Sequence, residues 1–103
     1  MENKDNKTVY THKLEKTLEY EGKKYDELKF DFGALKGKDA LAIEEEMQAN
    51  NKYILAPEVS EAYQSRMAAR AAGVPHDLLE ELSFQDFNRI TNAARNFLVG
   101  QAL

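Results

Sequence analysis

Residues 14–40 read LEKTLEYEGKKYDELKFDFGALKGKDA, and this stretch decides the fold. Apolar residues alternate with polar residues twice, first at Leu14, Leu18 and Tyr20, where Lys16 interrupts the apolar face, and then at Leu28, Phe30 and Phe32. Alternation with a period of two is typical of strands that bury one face. Glu21-Gly22 between the two runs predicts a tight turn, because glycine adopts positive φ without steric cost. The stretch therefore predicts an antiparallel hairpin over residues 13–32.

An isolated hairpin is only marginally stable in water, so its apolar face needs a cover. The rest of the chain predicts helices that supply it, at residues 37–50, 57–72, 76–82 and 84–99. The predicted fold class is α+β, with an N-terminal antiparallel β-hairpin followed by three to four α-helices and helix dominant. Residues 1–12 are expected to be a polar tail, and residues 13–103 a single domain whose helical part spans 37–99. Whether residues 9–12 extend the first strand is left open.

Start and stop signals bound these helices. Pro57 suits the first turn of one helix and Gly73 its C-terminal cap, while Ser83 is expected to cap the last helix. Asp86, three residues after Ser83, fits a weak capping box. Three apolar stripes are predicted to face inward: Ala40, Ile43 and Met47; Val59, Tyr63, Met67 and Ala71; and Phe84, Phe87, Ile90, Ala94, Phe97 and Leu98.

Composition excludes several classes of protein. The 103 residues carry 43% hydrophobic and 31% charged side chains, which indicates one soluble globular domain. The chain has no cysteine, so it forms no disulfide and no thiolate metal site. No apolar run approaches the ~20 residues that span a bilayer. Residues 39–103 hold ten acids and five bases, and an acidic helical half is a poor surface for nucleic acid.

Motifs for chemistry are weak. The segment 33–39 contains two glycines, as a phosphate loop does. However, only three residues separate Gly33 from Gly37 where the motif has four, and Asp39 replaces the hydroxyl residue. His76 and Glu80 are four residues apart, but two ligands are too few for a closed zinc site, so a solvated pair is expected. His12 has no partner nearby in sequence and is expected to face water on a strand.

Other nucleophiles and acids have equally plain explanations. Residues 44–46 are consecutive glutamates that fan around a helix and do not converge on one point. Ser60, Ser65 and Ser83 have no histidine or lysine at a suggestive spacing. We therefore expect no catalytic residue, no metal site, no cofactor and no small-molecule substrate, and we predict that the protein is not an enzyme.

Residues 66–95 offer an alternative function. A helix, a corner and two further helices resemble a helix-turn-helix, in which Arg89 and Arg95 would face a phosphate backbone. This alternative makes the chain a small DNA-binding regulator. The acidic charge of the helical half and the use of the last helix as a core stripe argue against it.

The residues that carry a family resemblance begin in the hairpin. The run YEGKKYDELKFDF followed by LKGKDALAIEEEM is similar to the tail assembly chaperones of long-tailed bacteriophages and prophages. The Ala72-Gly73 corner, the segment 82–90 with Asp86 and Phe87, and the Phe97-Leu98 ending extend the likeness to residues 14–99.

This resemblance implies a non-enzymatic role in viral tail morphogenesis. Such proteins bind helical segments of the tape measure protein and keep it soluble until the tail tube polymerises around it. They act in the cytoplasm of the bacterial host and are not part of the mature virion. Neither nucleic acid nor a membrane is expected as a partner. Self-association into oligomers, for instance through a hairpin edge, is a further hypothesis.

A chaperone for apolar helices needs an apolar groove. Two regions are candidates for it, the loop Tyr53-Ile54-Leu55 and the part of the last helix near Phe97 and Leu98. The alternative is that both regions are simply core.

Overall fold

The computed structural model describes residues 8–53 and 56–103. Within these ranges the chain forms a two-stranded antiparallel sheet and four α-helices, which confirms the predicted α+β class. The elements are β1 (Val9–Tyr20), β2 (Lys23–Asp31), α1 (Gly37–Ala49), α2 (Glu61–Ala72), α3 (His76–Glu80) and α4 (Phe84–Leu98), with 3-10 turns at Phe32–Ala34 and Pro57–Val59. Residues 9–12 belong to β1, so the hairpin begins before the predicted boundary at residue 13.

The turn of the hairpin has the predicted chemistry. Glu21 and Gly22 both have positive φ, 51° and 80°, between the last residue of β1 and the first of β2. Positive φ at both central residues defines a type I′ turn, whose twist matches that of the strands it joins.

The strand pairing changes register in the middle of the hairpin. Lys13 lies opposite Glu27 and Leu18 lies opposite Tyr25, so four residues of β1 face one residue of β2. The Thr17 hydroxyl donates a hydrogen bond of 2.6 Å to that residue, Asp26. Because the offset is odd, it places Tyr25 on the same face as Leu18, which extends the apolar face along the whole hairpin.

Helix α2 is the centre of the domain. It packs against α1, α3, α4 and β2, and every residue from Tyr63 to Ala69 is buried. The core around it draws residues from all six elements and from the turn after β2: Leu14, Leu28, Phe30, Phe32, Ile43, Met47, Tyr63, Met67, Ala68, Ala69, Leu78, Leu79, Ile90, Ala93 and Ala94.

Aromatic rings join the hairpin to α4. Tyr10 stacks on Phe30, and Phe30 stacks on Phe32, both with ring centroids 6.1 Å apart. Phe32 in turn stacks on Phe97 at 5.6 Å. The start of β1 is therefore held against the end of α4 by a continuous row of rings.

The expectation that His12 faces water is wrong. Its side chain is buried, and its Nε2 lies 2.7 Å from Asp86 Oδ1 on α4, while its Nδ1 lies 2.8 Å from the Tyr10 hydroxyl. The other carboxylate oxygen of Asp86 accepts the Glu15 backbone N–H at 3.1 Å. A carboxylate only accepts hydrogen bonds, so Nε2 carries the hydrogen toward Asp86. Asp86 thus ties β1 to α4 through one side chain and one backbone group.

The Asp86 carboxylate does not complete the predicted capping box, because both of its oxygens bind groups of β1. Ser83 caps α4 as predicted, since its hydroxyl accepts the Asp86 N–H at 3.0 Å. Burial would raise the pKa of the Asp86 carboxyl, but the hydrogen bonds from His12, the Glu15 N–H and Ser83 outweigh burial and hold its pKa below the ordinary value.

Three predicted core positions are exposed: Val59 and Phe84 strongly, and Leu98 by 37%. Pro57 starts a 3-10 turn, and α2 begins later, capped by Ser60, whose hydroxyl accepts the Tyr63 N–H; this leaves Val59 outside the helix and 70% exposed. Phe84 is 79% exposed although it was assigned to the stripe of α4. It lies six residues before the buried Ile90, which places it about 120° away around the helix.

Among the helices that the structure describes, none has the length and apolar character needed to cross a bilayer.

Replacing Asp86 by Ala should lower the free energy of unfolding by about 1–3 kcal/mol, because the buried Nε2–H of His12 would lose its acceptor and the Glu15 N–H would lose its bond to the carboxylate. The control is Asp31→Ala on the exposed side of β2, which should change it by less than about 0.5 kcal/mol. Urea denaturation of the three proteins gives the comparison, and equal losses in the two variants would show that the tie contributes nothing.

The same carboxyl predicts a pH dependence. Its folded pKa lies below its unfolded value, so between the two values the unfolded chain binds a proton that the folded protein does not. Its stabilisation is complete above the ordinary carboxyl pKa and is lost as the pH falls through the lowered folded value. Urea midpoints across the acid range should fall more steeply for the wild type than for Asp86→Ala, and parallel profiles would contradict this assignment.

Candidate partner-binding groove

The structure describes three of the five predicted binding residues. Tyr53 follows α1 and is 84% exposed, whereas Phe97 and Leu98 end α4, Phe97 half-buried and Leu98 37% exposed. Ile54 and Leu55 lie outside the described residues. The alternative that both regions are simply core is therefore wrong for Tyr53. In α4 only part of the predicted stripe is core.

Phe97 and Leu98 line a groove between the start of α1 and the end of α4. Leu35, the start of α1, the middle of α2 and the end of α4 enclose a volume of about 170 Å³. We call it the α1–α4 groove, and its lining residues are Leu35, Lys36, Asp39, Ala40, Ile43, Tyr63, Met67, Phe97 and Leu98. Tyr53 is not among them, so among the described residues this groove does not bring Tyr53 together with Phe97 and Leu98.

The floor of the α1–α4 groove is buried and largely apolar. Ile43, Tyr63 and Met67 are each at most 5% exposed, and Phe97 is fixed by its stacking on Phe32. Burial, and then the charge of Glu44, raise the pKa of the Tyr63 hydroxyl, so Tyr63 stays neutral at physiological pH. Leu98 forms the edge with 37% of its surface exposed. This surface can accept apolar side chains, and Met67 can adapt its shape to them.

The rim of the α1–α4 groove carries an ion pair at Asp39, which ends the segment that resembles a phosphate loop. Asp39 accepts the Lys36 backbone N–H at 2.7 Å and lies 2.8 Å from Nη2 of Arg70 on α2. The Lys36 N–H and the Arg70 guanidinium together hold the pKa of the Asp39 carboxyl below its ordinary value. Asp39 thus starts α1 and fixes it to α2, in keeping with a helix-entry turn.

Sequence reasoning missed most of this lining. Phe97 and Leu98 came from the periodicity of α4, but Leu35, Ala40 and Met67 become neighbours of that helix only through tertiary packing. Ile43 and Met67 were recognised as core residues, and no pattern in the chain shows that one side of a core residue lines a groove.

Ser65 and His76 form a contact that their spacing did not suggest. Ser65 Oγ lies 2.8 Å from His76 Nε2, and His76 Nδ1 lies 3.3 Å from Glu80 Oε2. The order resembles a hydrolase triad. However, Ser65 is only 1% exposed, so no substrate carbonyl can reach its oxygen. Burial, and then the charge of Arg66, lower the pKa of His76, so the imidazole is neutral and joins α2 to α3.

His76, Asp77 and Glu80 also have ligand atoms within 4.8 Å of one another, the distance range of a metal site. Asp77 and Glu80 are exposed at a five-residue helix, and the described residues add no fourth ligand to this group. Structural zinc sites use four protein ligands. The arrangement is better described as a polar contact between the neutral imidazole of His76 and the Glu80 carboxylate than as a metal centre.

The arginines of the predicted DNA-binding segment have other roles. Arg66 donates to Glu46 at 3.0 Å and to the Ala62 carbonyl, so this glutamate is not simply solvated as predicted. Arg70 is paired with Asp39. Only Arg89 and Arg95 of the four are exposed without an acidic partner among the described residues, which is too little charge for a phosphate-binding surface.

Comparison with known families completes the picture. The chain matches the family described as phage tail assembly chaperone proteins, E, or 41 or 14, over residues 11–99. Searches of curated proteins and of solved structures gave no match. The matched range runs from β1 to the residue after α4 and so contains most of the hairpin, all four described helices and the α1–α4 groove. The chain therefore belongs to the family of phage tail assembly chaperone proteins.

Proposed function

We propose that this chaperone binds helical segments of the tape measure protein and keeps that protein soluble during tail morphogenesis, without catalysing a reaction. The α1–α4 groove is the observation that carries the proposal. In this view the protein acts in the host cytoplasm and is absent from the finished virion. Tail assembly is a process between proteins, so a protein partner is what the family itself implies.

The shape of the groove supports an apolar helix as its occupant. Amphipathic helices bind by placing side chains of one face, three or four residues apart, into an apolar groove. The groove volume of about 170 Å³ is below the ~300–1,000 Å³ typical of small-molecule sites. It suits the insertion of individual side chains better than the enclosure of a cofactor or substrate.

The loop at Tyr53 is the second contact in this proposal. Its ring is 84% exposed, and exposed aromatic residues are frequent anchors of protein interfaces. Tyr53 follows the C-terminal end of α1, whereas Ala40 near the start of that helix lines the groove. A long helical partner that runs along α1 would meet both surfaces.

Leu98→Ser should weaken binding of the tape measure protein about tenfold, equivalent to about 1.4 kcal/mol, because it places a hydroxyl at the edge of the groove. The matched control is Leu41→Ser, which changes a 63% exposed leucine of α1 that does not line the groove. Co-expression with the tape measure protein, followed by a solubility assay and pull-down, compares both variants with the wild type.

Both substitutions change exposed residues, so melting temperatures should stay close to that of the wild type. A tape measure protein that remains insoluble and unbound beside the wild-type chaperone would overturn the proposed function. Equal binding by the two variants would remove the α1–α4 groove from it.

A further inference from the structure

A second recess opens on the other side of α2. It lies between the Pro57–Val59 turn, the start of α2 and the solvent side of α4, and its volume is about 480 Å³. We call it the Gln64 cleft. It shares no lining residue with the α1–α4 groove, and its lining residues are Glu58, Val59, Glu61, Gln64, Asn88, Thr91, Asn92 and Arg95.

The floor of the Gln64 cleft presents hydrogen-bond acceptors. Gln64 is 4% exposed, and its Nε2 donates to the Pro57 carbonyl at 3.0 Å. This bond fixes the orientation of the amide, because only its nitrogen can donate to a carbonyl. The amide oxygen of Gln64 has no partner among residues 8–53 and 56–103. Thr91, 1% exposed, donates its hydrogen to the Asn88 carbonyl, so its oxygen can only accept another bond.

A buried acceptor without a donor is unusual in a folded protein, because removing it from water is costly unless a bond replaces the lost one. The unpaired oxygen of Gln64 therefore points to a donor that comes from outside the chain. A ligand that donates hydrogen bonds would satisfy both this oxygen and the hydroxyl oxygen of Thr91.

The rim of the Gln64 cleft carries two negative charges, which suit a cationic donor. Glu58 and Glu61 are exposed, and neither forms an ion pair with a cation of the described residues. Val59 lies between them with 70% of its surface exposed. Lysine and arginine side chains combine an aliphatic stem with a head that only donates. Val59 fits the stem, and the two carboxylates fit the charge of the head.

Arg95 makes the opposite wall positive. Its guanidinium makes one weak contact, 3.5 Å from Nη1 to Asn96 Oδ1. It lines the cleft and forms no ion pair with an acid of the described residues. With two carboxylates and one guanidinium, the three charges sum to one negative charge. A net charge of minus one favours a single basic group over a run of basic residues.

We propose that the Gln64 cleft receives one lysine or arginine side chain of the tape measure protein while the α1–α4 groove holds apolar residues of the same partner. This inference rests on the proposed function. The two recesses lie on either side of α2, so a partner with an apolar stripe and a basic residue would be held at two separated points, which fixes its position along the chaperone.

The test is Glu58→Gln with Glu61→Gln, a double variant that removes both charges and keeps the size of the side chains. It should weaken binding of the co-expressed tape measure protein by roughly three- to tenfold, the scale of exposed charge pairs. Binding to the wild type should also weaken as NaCl rises, and this dependence should be shallower for the double variant. The matched control is Glu44→Gln with Glu45→Gln on the exposed face of α1.

Three outcomes overturn the inference. If the double variant binds like the wild type while Leu98→Ser binds more weakly, the cleft plays no part and the groove still does. If the Glu44 and Glu45 control loses as much affinity, the effect is one of overall charge and not of the cleft. If the wild type itself does not bind the tape measure protein, the proposed function fails and this inference fails with it.

Discussion

The contact between Asp86 and β1 is the constraint on which the rest of the structure depends. A two-stranded hairpin is not stable by itself, so it must be fixed to the helices. Asp86 does this with both carboxylate oxygens, one on the buried imidazole of His12 and one on the backbone N–H of Glu15. The backbone bond fixes the position of the strand along α4, and the imidazole bond fixes its face. The row of rings from Tyr10 to Phe97 then packs in one register.

Local patterns predicted the elements well because their causes are local. Alternation identified both strands, Glu21-Gly22 the turn, and Ser83 the cap of α4. The tie between His12 and Asp86 spans 74 residues and has no local signature, so His12 was assigned to solvent. For Phe84 the prediction of burial was wrong. Phe84 is apolar and close to the helical period, but it lies too far around the helix from Ile90 to reach the core.

The candidate site was predictable only in part, for the same reason. Phe97 and Leu98 could be found from the stripe of α4, whereas the groove they line is made by α1 and α2. Phe97 stacks on Phe32 and also lines the groove, so docking of the hairpin and the shape of the groove are physically coupled. The unpaired oxygen of Gln64 could not be read from the sequence, because a glutamine in a helix is ordinarily a surface residue.

The central claim is that the α1–α4 groove receives the partner, and the methionines offer a direct measurement. The chain has three, and two of them lie in the described residues: Met67 lines the groove, and Met47 is buried and does not line it. NMR spectra of the protein labelled with 13C at the methionine methyl groups can be recorded alone and in complex with the tape measure protein. The account predicts a clear shift of the Met67 resonance and little change at Met47. A stable complex in which the Met67 resonance does not move would contradict it.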